Sequence, residues 1–158
     1  MKKSFTLIEL AVFMGLFSIL LFILTDIFVN SLKEKSYSDT VSVVNQDGRY
    51  ILKKLENDIN NANSIDSPVL GQTDNFLSLI VYGQIQTYSL SNGTLNLFKG
   101  GETLALNSVY STVNSISFTR LGNAGGKNSI RIILSLQSKK IVNNKPELIN
   151  LETSASLR

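Results

Sequence analysis

The sequence predicts an α+β fold: a long N-terminal helix packed on an antiparallel β-meander head. Three observations predict it. No proline interrupts residues 5–63, and the only glycines there are Gly15 and Gly48. Within that stretch Val41, Val44, Gly48, Ile51, Leu55, Ile59 and Ala62 recur at steps of three or four, with Leu52 widening the stripe, which is the period of a helix with one buried face. From Leu77 onward apolar and polar residues alternate, which is the period of a strand with one wet face.

Composition narrows the chemistry. The 158 residues suit one domain plus an appendage. With neither cysteine nor histidine, the chain has no disulfide, no thiolate nucleophile, no Cys-ligated zinc and no Ser/His/Asp triad. No enzyme activity, cofactor or metal site is expected. The formal charge is +3; without Lys2 and Lys3 it falls to 13 basic against 12 acidic groups, so most of the chain is nearly neutral.

The first element is apolar. Leu10 to Leu24 carries no charge, and back to Phe5 the only charge is Glu9. About 20 such residues cross a bilayer. Lys2 and Lys3 precede the run, whereas Lys33 and Lys35 after it are balanced by Asp26, Glu34 and Asp39. The positive-inside bias then places the N-terminus in the cytoplasm and the remainder outside. A secretory signal peptide would need a shorter run and a small-residue cleavage site, for which Val29-Asn30-Ser31 could weakly serve. A plain signal anchor accounts for the length and the lysines but for neither the start at Phe5 nor Glu9.

Phe5-Thr6-Leu7-Ile8-Glu9-Leu10, behind the short basic leader Met1-Lys2-Lys3-Ser4, resembles the leader and mature start of type IV pilins and type II secretion pseudopilins. The resemblance implies cleavage between Ser4 and Phe5 by prepilin peptidase and N-methylation of Phe5. Ser4 stands where that family usually has glycine, and Asp26 where many major pilins have proline, which favours a minor subunit. Leu55-Glu56-Asn57-Asp58-Ile59 resembles a segment of J-type minor pseudopilins. The resemblance also implies the domain plan: residues 1–4 a leader peptide, 5–29 a transmembrane and assembly helix, 30–63 its amphipathic continuation, and 64–158 a β-rich head.

An intramembrane carboxylate costs about 2.5–3.5 kcal/mol and marks a partner or a function by default. Glu9 snorkelling toward the cytoplasmic interface lowers that cost. Cleavage before Phe5 creates a new cationic α-amine; among apolar helices such an amine and a carboxylate are costly alone and tolerable together. The resemblance implies that Glu9 pairs with the amine of a neighbouring subunit and so acts in assembly.

Lys53, Lys54, Asn57 and Asn61 occupy the helix face opposite the second stripe. Residues 64–75, with Pro68 and Gly71, read as a loop. Gly83-Gln84 between Leu77–Tyr82 and Ile85–Leu90, and Asn92-Gly93 before Leu95 and Leu97, read as hairpin turns. Gly100-Gly101 turns the chain toward Leu104 and Leu106, and Ile116 and Phe118 begin the next strand. Ile130 to Leu136 and Ile149 to Leu157 complete the alternating strands, and the Val41–Ala62 stripe covers their apolar face.

Between Glu102 and Glu147 the only charges are Arg120, Lys127, Arg131, Lys139, Lys140 and Lys145. They are candidate phosphate contacts for DNA; the alternative is solvated strands whose lysines protect sheet edges. Gly122 to Gly126 lacks the lysine and the helix of a phosphate loop. Asp66 and Asp74 flank Gly71, but two carboxylates fall short of the six to eight oxygens calcium takes. The resulting expectation is a non-enzymatic subunit of a type IV pilus or type II secretion-like filament. Its implied partners are other pilin or pseudopilin subunits, prepilin peptidase and an inner-membrane assembly platform. It would sit in the inner membrane before assembly and in an extracytoplasmic filament afterwards. A DNA- or surface-binding minor pilin and an ordinary signal-anchored protein are the alternatives.

Overall fold

The computed structural model describes residues 6–123, 126–142 and 145–157. The chain forms two units, one reaching to Asp39 and one running from Thr40. Helix α1 (Leu7–Asn60) supplies residues to both. In the first unit every described residue up to Lys35 is exposed, including all the apolar ones. This helix is long and apolar enough to cross a membrane.

In the second unit α1 is amphipathic as predicted. Val44, Gly48, Ile51, Leu55 and Ile59 are buried, joined by Thr40 and Asp58. Each large apolar side chain so buried contributes about 1.5–3 kcal/mol. The helix ends at Asn60 rather than at residue 63, and Ala62 opens the first strand. The carbonyl of Asn57 accepts both from the Asn61 backbone amide (3.1 Å) and from the Asn61 side chain (2.8 Å) where the helix ends.

Among the described residues nine strands form two antiparallel sheets, where the sequence suggested one meander. The first has the order β1 (Ala62–Ser67), β3 (Phe76–Val81), β4 (Gln84–Ser91), β5 (Thr94–Lys99), β6 (Glu102–Ala105). The second has the order β2 (Thr73–Asp74), β7 (Ser111–Leu121), β8 (Ser129–Val142), β9 (Lys145–Ser156). The division occurs at Asn107. Its side chain accepts from the amide of Leu95 (2.9 Å) and donates to the carbonyls of Ser111 (3.0 Å) and Gly93 (3.3 Å). These bonds replace ladder bonds, so the chain leaves the first sheet after β6 without orphaning backbone groups. Leu77, Leu79, Tyr88, Leu95 and Leu97 from the first sheet meet Phe118, Ile132, Leu134 and Leu136 from the second in one core beneath α1.

Residues 64–75 are more ordered than a loop. β1 occupies their start and β2 their end, and Arg120 binds the middle. Arg120 exchanges backbone bonds with Gly71 and Gln72, and its Nη1 donates to the carbonyls of Ile65 (2.9 Å) and Pro68 (3.3 Å). The first hairpin turns at Tyr82-Gly83, one residue earlier than predicted. Both residues have positive φ (51° and 76°), as do Asn92 and Gly93 (50° and 75°) at the second turn. Paired positive φ matches the right-handed twist of the flanking strands. Leu106 is buried as expected, but Leu104 on the edge strand β6 is 50 % exposed.

Candidate assembly helix and the polar anchors of the head

The predicted leader and processing residues Lys2, Lys3, Ser4 and Phe5 lie outside the described residues. Glu9 lies in the first turn of α1, where its carboxylate meets Thr6. Its Oε2 accepts from the backbone amide of Thr6 (3.0 Å) and from the Thr6 hydroxyl (3.0 Å), while the Glu9 amide faces Thr6 Oγ1 at 3.4 Å. Thr6 precedes the first helical residue, so Thr6-Leu7-Ile8-Glu9 is a capping box: each side chain answers the other's backbone amide. The spacing Thr-x-x-Glu before an apolar run is a readable signal for it. The box uses only groups of Thr6 and Glu9, both C-terminal to the expected cleavage point. Beside it Ile8, Val12, Phe13 and Leu16 line a shallow apolar groove with Glu9 at its rim, and the rings of Phe13 and Phe17 stack at 6.1 Å.

Farther along, three carboxylates on α1 anchor the head. Asp58 is 4 % exposed. It accepts from Lys54 Nζ (2.9 Å to Oδ1, 2.8 Å to Oδ2) and from the Tyr88 hydroxyl. With the Gln86 amide oriented by its neighbours, its nitrogen donates to Asp58 Oδ2 and its oxygen accepts from Lys99 Nζ, both at 3.2 Å. Lys54, assigned by periodicity to the wet face, thus reaches along one turn to neutralise a buried charge. Burial, then the hydrogen bond to Asp58, pushes the Tyr88 hydroxyl pKa well above the ordinary tyrosine value. Asp47 Oδ2 accepts from the Ser108 amide (3.0 Å), Ser108 Oγ (2.6 Å) and Ser111 Oγ (2.5 Å), fixing the connection between the sheets. Glu56 Oε1 accepts from Thr153 Oγ1 (2.6 Å) on β9. Only the Asp58 segment carried any signal in the sequence. Its strand partner Tyr88 lies 30 residues further on, which local periodicity does not pair.

The six basic candidates do not behave alike. Arg120, on β7, donates to the carbonyls of Ile65 and Pro68 in the 64–75 segment. Arg131 Nε donates to Glu152 Oε1 (2.6 Å) across β8 and β9, and that bond raises the Arg131 pKa. Lys127, Lys139, Lys140 and Lys145 are exposed. Lys139 and Lys140 fall where the β8–β9 register breaks, between Gln137 and Ile141. Among the described residues no cluster of three or more acidic side chains is placed to hold a metal ion, and Asp66 and Asp74 remain two separate exposed carboxylates. The Gly122–Gly126 segment, of which Ala124 and Gly125 lie outside the described residues, connects β7 to β8.

No protein-family model, curated protein or solved structure matches this chain. Its reading rests on its own residues.

Proposed function

We propose that the chain is a non-enzymatic structural subunit of a pilus-like filament. It is made as a single-pass inner-membrane protein, cut before Phe5 by prepilin peptidase, and assembled through α1. A minor pilin or J-type pseudopilin role fits best, given Asp26 in place of proline and the Leu55–Ile59 segment. The observation that carries the reading is Glu9: one carboxylate held in the first turn of an exposed apolar helix whose continuation seats an α+β head. Among the described residues nothing in the first unit covers those apolar side chains, so lipid or neighbouring helices must do so.

Assembly follows from charge. In the membrane Glu9 leans toward Thr6 and the aqueous boundary. Carried among other subunits' helices, it loses that water, and the cationic amine at a neighbour's Phe5 becomes its natural partner. The pair sets how far one helix slides along the next. Glu9→Ala is expected to leave membrane insertion and cleavage intact and to abolish incorporation into filaments, read by co-purification with sheared filaments. Normal incorporation of that variant would contradict the assignment.

A further inference from the structure

The first unit carries a second polar feature, to which the proposed function gives no physical role. Asp26 Oδ2 accepts from the Asn30 side-chain amide (3.4 Å), one turn on. Between the Thr6–Glu9 box and this pair the only other polar side chains are Ser18 and Thr25. Each donates at 2.8 Å to the carbonyl four residues back, on Met14 and Leu21, so neither needs water. The helix therefore has two polar collars with a polar-satisfied apolar segment between them.

Their separation is informative. Helical side chains lean toward the helix N-terminus. Glu9 leans outward and its carboxylate bonds at the level of Thr6. Asp26 Oδ2 bonds Asn30, four residues farther along, so its carboxylate stays near its own turn and its backbone position marks the boundary. From Thr6 to Asp26 is 20 residue steps, about 30 Å at 1.5 Å per residue. The hydrocarbon core of a bilayer is also about 30 Å thick. Without Asp26 the apolar run would continue through Ile27, Phe28 and Val29, about one further turn. Asp26 ends the span where the hydrocarbon ends.

We propose that Asp26, with Asn30, is a depth-setting collar for the lipid bilayer, working against the Thr6–Glu9 collar to hold the unassembled subunit at one depth. The inference rests on the membrane-spanning reading of α1. It assigns Asp26 a role in how the subunit waits in the membrane, separate from the assembly role of Glu9.

The chain has no cysteine, so Phe28→Cys provides a single labelling site in the full-length protein. The labelled chain is reconstituted in phosphatidylcholine vesicles, and label depth is read by quenching with lipids brominated along the acyl chain. With Asp26 present the label is expected at the interface. In Asp26→Leu it is expected about 6 Å deeper, one helical turn; in Asp26→Glu it stays at the interface. Equal depth in the Asp26 chain and in Asp26→Leu overturns the proposal, as does an Asp26→Glu chain that sinks as far as Asp26→Leu. A label quenched by no lipid in any variant overturns the membrane-spanning reading beneath it.

Discussion

Glu9 has one observed role and one proposed role. In the single chain it closes the helix start; in the proposed filament it would be offered to another chain. The two roles separate by charge. Glutamine also serves a capping box, so Glu9→Gln is expected to keep the helix start yet fail to incorporate, as Glu9→Ala does. Thr6→Val removes the cap at a cost of about 1 kcal/mol, read as fraying of the first turn by amide exchange in micelles. Tyr88 gives the pH prediction. Its pKa is raised in the folded state, so its contribution is complete below the ordinary tyrosine pKa of about 10 and is lost as pH rises beyond it. Above pH 10 stability should fall by about 1.4 kcal/mol per pH unit from this group. Tyr88→Phe should flatten that fall in pH-dependent thermal melts, while costing about 1–2 kcal/mol at neutral pH through the bond lost at Asp58.

At the scale of elements, the second half of α1 is fixed by close packing and by its carboxylates together. A Cβ at Gly48 would lie 2.5 Å from Leu151 Cδ1 and 3.3 Å from Leu136 Cδ1. Alanine is expected to be nearly neutral, since the tip of half-buried Leu151 is free to turn and the helix gains about 1 kcal/mol from losing glycine. Gly48→Leu should destabilise by about 1–3 kcal/mol in denaturant melts, because both leucines would have to move. Asp58→Ala should cost about 1–3 kcal/mol in the same assay by stranding the buried Tyr88 hydroxyl. The stripe that buries Val44, Ile51, Leu55 and Ile59 was legible because helical period is local. So was the Asn92-Gly93 turn. The split into two sheets was not, because it depends on Asn107 reaching the amide of Leu95 across 12 residues. The partners of Arg120 were hidden for a similar reason: in sequence it is one of six cations, and only the fold brings the carbonyls of Ile65 and Pro68 to it.

For the whole molecule, the α+β class followed from two periodicities and the absence of proline across α1. Glu9 stands out in the sequence as one charge in an apolar run, and the proposed assembly role rests on that charge; its cap is written in the Thr-x-x-Glu spacing instead. The proposed cleavage at Ser4–Phe5 would separate a basic leader from the capped helix and create the amine that Glu9 is proposed to meet. Intact-mass measurement of the full chain, expressed with and without prepilin peptidase, tests this most directly. The expected result is a chain beginning at N-methylated Phe5 only when the peptidase is present. A chain still beginning at Met1 with the peptidase, or one beginning near Leu32, would contradict the account.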